Sequence, residues 1–80
     1  MKIINEAEFY KITKEQPLVP VDFFATWCGP CKMLSPVLEE MAEEMKGEVE
    51  IVKVDVDAKP ALAASYKIMS VPKMLLFKNG

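Results

Sequence analysis

Val21–Glu40 reads "VDFFATWCGPCKMLSPVLEE". Its first residues belong to a nearly continuous apolar run, Leu18–Ala25, which suits a strand buried on both faces. Its second half changes period. Leu34, Val37, Leu38 and Met41, followed by Met45, recur at three and four residues and form one face of a helix from Cys31 to about Met45. Pro36 lies inside that helix and removes a backbone donor, so a kink is expected there. Between strand and helix stand two cysteines, Cys28 and Cys31.

Working outward, the flanking segments repeat the same alternation of strand and helix. Asn5 followed by Glu8 is the pattern of a capping box, opening a helix over about Glu6–Lys14 with Phe9 and Ile12 turned inward. Pro17 ends it, and Lys2–Ile4 reads as a short leading strand. Downstream, "EIVKVDVD", Glu50–Asp57, alternates, with Val52, Val54 and Val56 on one side and Ile51, Lys53 and Asp55 on the other. Pro60 suits the first turn of a short helix through Tyr66. "MLLFK", Met74–Lys78, is a last strand. Helices between strands predict a single α/β domain over residues 1–80, with a central mixed sheet of about four strands flanked by about three helices. The methionines, among them Met33, Met41, Met45, Met69 and Met74, are expected to fill the core.

Composition removes several functions. All ten basic residues are lysines and the net charge is −2, a poor basis for recognising nucleic acid or phosphate. Without histidine there is no Ser-His or Cys-His nucleophile pair, and the commonest metal ligand is missing. No apolar run approaches the roughly 18 residues of a membrane span. The start, "MKIINEAEFYKITK", lacks an apolar core and cleavage site of a signal peptide, which gives the expectation of a cytoplasmic protein.

The cysteine pair then carries the chemistry. A structural disulfide three residues long joins no distant elements, and loop-closure entropy gives it only about 2 kcal/mol. A zinc site wants four ligands, so it would need two chains or several carboxylates. Redox exchange fits the surroundings best. Cys28 opens a helix, where unpaired N–H groups and the helix dipole stabilise a thiolate. Cys31, one turn inside, is placed to attack a mixed disulfide and release product. Gly29 and Pro30 limit bulk and shape the turn. Asp22, a carboxylate among apolar neighbours, is a candidate proton acceptor, because burial raises the affinity of a carboxylate for its proton.

"VDFFATWCGPCKMLSPVLEE" resembles the active-site segment of the thioredoxin family, and "VKVDVDAKPALAASYKIMSVPKMLLFKNG" is similar to the rest of that domain in order and spacing. The resemblance implies a three-layer thioredoxin-like fold and a protein disulfide reductase with no bound cofactor. Its electrons would come from NADPH through a thioredoxin reductase, and its substrates would be disulfide-containing proteins. By position, Cys28 is the nucleophile and Cys31 the resolving thiol. Asp22 handles the proton of the resolving cysteine, and Lys53 faces Asp22. Val71-Pro72 matches a cis-proline beside the disulfide, and Trp27 borders the site. Gly29, Pro30, Val56 and Val71 match an apolar contact surface for substrate proteins.

Three departures stand out. Lys73 follows the proline where threonine is common, and Phe24 replaces a frequent tryptophan. The third is "LLFKNG", Leu75–Gly80. Asn-Gly announces a hairpin turn, with φ > 0 at both residues, and the resemblance calls for a further strand and helix after it. The domain is therefore expected to be incomplete at its C-terminal end, with its apolar last strand ready to self-associate. The rival to catalysis is a non-catalytic fragment that self-associates or folds with a partner.

Overall fold

The computed structural model describes all 80 residues, Met1–Gly80. Seven elements alternate along the chain: β1 (Lys2–Ile3), α1 (Glu6–Glu15), β2 (Leu18–Phe24), α2 (Gly29–Glu44), β3 (Val52–Asp55), α3 (Pro60–Ser65) and β4 (Lys73–Lys78). This is the α/β architecture expected, with a four-stranded sheet in the order β1-β3-β2-β4. β1 and β2 both run parallel to β3, and β4 is antiparallel to β2, so the sheet is mixed.

Local signals account for the element ends. Asn5 Oδ1 accepts from the Glu8 N–H at 2.8 Å, and Glu8 Oε1 accepts from the Asn5 N–H at 3.1 Å, closing the capping box. Lys2 bridges to the same Glu8 at 2.6 Å. That contact and the capping bond hold the Glu8 carboxyl below its usual range. α2 runs through Pro36 as one continuous helix. Asn79 and Gly80 both have positive φ, 58° and 106°, as an Asn-Gly turn demands, and the Asn79 N–H donates to the Pro17 carbonyl at 2.9 Å.

Strand register divides the side chains between two faces. Val19, Val21 and Phe23 of β2 sit with Val52 and Val54 of β3 and Leu75 and Phe77 of β4. Phe9 of α1 and Leu62 of α3 close over them in one cluster with Ile4. Phe9 meets Phe77 and Tyr66 edge-on, with ring centroids 5.0 and 5.5 Å apart. The opposite face carries Pro20, Asp22 and Phe24, paired with Lys53 of β3 and with Met74 and Leu76 of β4. α2 lies on this side.

Three sequence expectations are corrected. The third strand is shorter than Glu50–Asp57: Asp55 accepts from the N–H groups of Asp57 and Ala58 at 2.9 and 3.3 Å and turns the chain. The apolar face of α2 is not buried as a unit. Leu38 is buried, but Val37 and Met41 are 52% and 42% exposed, because a helix lying on a sheet covers only the stripe pointing at the strands. The methionines do not fill the core: Met33 and Met69 are 80% and 95% exposed, and none is buried.

Candidate functional site

β2 delivers the chain through Ala25, Thr26 and Trp27 to Cys28, which caps α2 in an extended conformation (φ −84°, ψ 110°). The Cys31 N–H donates to Cys28 Sγ at 3.2 Å, so one of the unpaired amides of the helix start is aimed at this sulfur. No acidic residue lies in the first turn to oppose a negative charge. Cys28 and Cys31 are joined as a disulfide with their Cα atoms 5.3 Å apart. Both are buried, at 4% and 5% exposure, so accessibility does not distinguish them. Phe24 and Ala25 pack with the pair, and Val56 and Val71 lean on this cluster from the loops after β3 and before β4.

The Val71-Pro72 bond is cis, as the family position implies. Trp27 is not a core residue. It is 70% exposed, and its indole N–H donates to Asp57 Oδ2 at 2.6 Å. Gly29 and Pro30 are exposed beside it. A Cβ built on Gly29 meets nothing within 4 Å, so the glycine is not demanded by the packing of this chain. Trp27, Gly29, Pro30, Val56, Val71 and Pro72 thus supply an apolar rim around Cys28 and Cys31.

Asp22 of β2 is 1% exposed and its Oδ1 has no hydrogen-bond partner. Burial raises its affinity for the proton, and the charge of Lys53 pulls the other way. Lys53 is the register partner of Asp22 on β3, but the two form no ion pair. Its ammonium donates to Ser35 Oγ at 3.3 Å and lies 4.5 Å from the centre of the Phe24 ring. An open recess of about 330 Å³, lined by Phe24, Thr26, Cys31, Lys32, Ser35 and Lys53 among others, connects Cys31 with Lys53. No group of three or more His, Cys, Asp or Glu side chains gathers as a metal site.

The sequence matches the family model described as Thioredoxin over residues 1–80. The chain belongs to the thioredoxin family. A thioredoxin of Staphylococcus aureus is 57% identical over 60 residues, which make up 75% of this chain and 58% of that protein. The chain therefore spans little more than half the length of the curated relatives it matches. Among solved structures, a Plasmodium falciparum thioredoxin superposes with a TM-score of 0.95 at 41% identity, over 100% of this chain and 78% of the other. A mutant thioredoxin from Halobacterium salinarum gives 0.87 at 39% identity, over 100% of this chain and 69% of the other. The fold, the cysteine pair as a disulfide and the family thus agree.

Two residues of the site escaped sequence reading. Asp57 stands thirty residues from Trp27, and no spacing rule links them. Ser35 left a faint signal: it follows Cys31 by four residues and so shares its helix face. No helix of the protein is long and apolar enough to cross a membrane.

Proposed function

We propose that the chain is a thiol–disulfide oxidoreductase that reduces disulfides in other proteins. The observation that carries this reading is the Cys28–Cys31 disulfide at the start of α2, with the Cys31 N–H on Cys28 Sγ. The bonded pair is the oxidised end state of the cycle. In the reduced protein, the Cys28 thiolate attacks one sulfur of a substrate disulfide. A Cys28–substrate disulfide forms and the first substrate thiolate leaves. Cys31 then gives up its proton and attacks Cys28 Sγ. The intramolecular disulfide forms, the second substrate thiolate departs, and two electrons have passed to the substrate.

Asp22 is the acceptor of the Cys31 proton in this reading. Its burial makes it a stronger base than an exposed aspartate. The recess beside Cys31 is large enough to hold water. The rim of Trp27, Gly29, Pro30, Val56, Val71 and Pro72 receives the substrate chain. Family membership supports a thioredoxin reductase, fed by NADPH, as the source of electrons.

The test is direct. Cys28→Ser abolishes reduction of a protein disulfide by dithiol, and Cys31→Ser accumulates a covalent mixed disulfide with the substrate, visible by intact mass. A Cys28→Ser variant that retains turnover, or faster alkylation of Cys31 than Cys28 at neutral pH, reverses the assignment.

A further inference from the structure

Asp22 and Lys53 are paired in register on neighbouring strands, so their side chains leave the sheet on the same face. An ammonium on a flexible four-carbon stem beside a buried carboxylate would ordinarily close onto it. Here it does not. The ammonium is held by Ser35 Oγ from α2 and by the face of the Phe24 ring. Asp22 Oδ1 is left without a partner. The one ion pair of the protein, Lys2–Glu8, is elsewhere.

We propose that Ser35 is a positioning residue: by accepting the hydrogen bond of the Lys53 ammonium, it holds that cation in the recess and off the Asp22 carboxylate, leaving Asp22 unpaired. The inference rests on the reading of Asp22 as acceptor of the Cys31 proton. An ion pair would stabilise the carboxylate anion and weaken it as a base, so the lysine has to be near enough to tune Asp22 and prevented from neutralising it. Ser35 is well placed for this task. It lies one turn beyond Cys31, is half-buried, and lines the same recess as Cys31 and Lys53.

The charged surroundings of Asp22 are few. β3 contributes Lys53 and, two residues on at the register position of Phe24, Asp55, whose carboxylate accepts from the N–H groups of Asp57 and Ala58. α2 contributes Lys32, which lines the recess. β4 sets the apolar Met74 opposite Asp22, and Lys73 pairs with Phe23 on the alternate register position. β2 itself carries no other charge. Lys53 is the charge that opposes the effect of burial on the Asp22 proton, so its position is the variable that matters.

The experiment follows the Asp22 carboxyl carbon by NMR across a pH titration of the oxidised 80-residue protein, assigned with Asp22→Asn. It compares the wild type with Ser35→Ala, Ser35→Thr, Lys53→Met and the Ser35→Ala/Lys53→Met double variant. In Ser35→Ala the lysine closes on Asp22 and the titration moves to lower pH. At a fixed pH within it, the ratio of ionised to neutral Asp22 rises about tenfold. Ser35→Thr keeps the hydroxyl and titrates like the wild type. Lys53→Met titrates at higher pH, and in that background Ser35→Ala changes nothing further. An unchanged titration in Ser35→Ala, or the same shift with and without Lys53, overturns the proposal. This readout needs no turnover, so it stands apart from the catalytic reading. That reading fails separately if Asp22→Asn resolves a preformed mixed disulfide at the wild-type rate over the same pH range.

Discussion

On the α1 and α3 side of the sheet, Phe9, Val19, Val21, Phe23, Val52 and Val54 are all at 0% exposure. On the α2 side, the alternate residues of the same strands include a carboxylate, a lysine and Leu76, the last 68% exposed. A strand commits successive residues to opposite faces, so β2 serves both. The buried strand residues of the first face include nothing that titrates, and that face gains from filling every gap. The second keeps one acid, Asp22, out of water. Stability and chemistry are separated by a single step of register, and Asp22 sits between Val21 and Phe23 for that reason.

The largest expected effect tests the closed face. Phe23→Ala removes a fully buried ring and lowers stability by about 4 kcal/mol. Denaturant unfolding measures it, and a loss under about 1 kcal/mol would mean that the face can collapse around the gap, contrary to its packing.

The next prediction has the opposite sign and belongs to the other face. Asp22 holds its proton more tightly folded than unfolded, because burial raises its affinity. Its share of stability is therefore complete below the ordinary aspartate range, about pH 3.9, falls as pH rises towards the raised folded value, and stays low above it. Asp22→Asn removes the charge. The variant is more stable than the wild type at pH 7, by an amount on the order of 2 kcal/mol, and the advantage fades below about pH 3. Unfolding midpoints at the two pH values decide it. A less stable variant at neutral pH would mean that the carboxylate is well solvated after all.

The smallest effect is expected at the rim of the open face. Leu76→Lys changes the stability of the monomer by no more than about 0.5 kcal/mol, since the side chain is already in water. Its effect is on association. β4 is an edge strand with one unpaired side, and such an edge recruits another chain. Sedimentation of the 80-residue chain at micromolar concentration shows self-association that Leu76→Lys weakens. A wild-type monomer at that concentration would show that β4 is sufficiently protected as it stands.

Much of this arrangement was legible beforehand. The order of the elements, the Asn5–Glu8 cap and the placement of Cys28 at a helix start all rest on spacings of two, three and four residues, and these leave their mark in the chain itself. The apolar run around Asp22 likewise announced a buried acid. The methionines misled because apolar character does not say which side of a helix a neighbour will cover. Met33 and Met41 share the α2 surface with Leu38, yet only Leu38 is buried.

The sequence by itself determined the succession of strands and helices, the two cysteines one turn apart and the acid on the strand before them, since each depends on local backbone geometry. Tertiary structure alone decided what those residues meet. Sheet order put β3 beside β2 and so Lys53 beside Asp22. The seating of α2 gave the ammonium a hydroxyl instead of a carboxylate. The turn after β3 brought Asp57 across thirty residues to Trp27. Contacts of that kind depend on which strands become neighbours and in what register, and a long side chain has several partners within reach until the layers close around it.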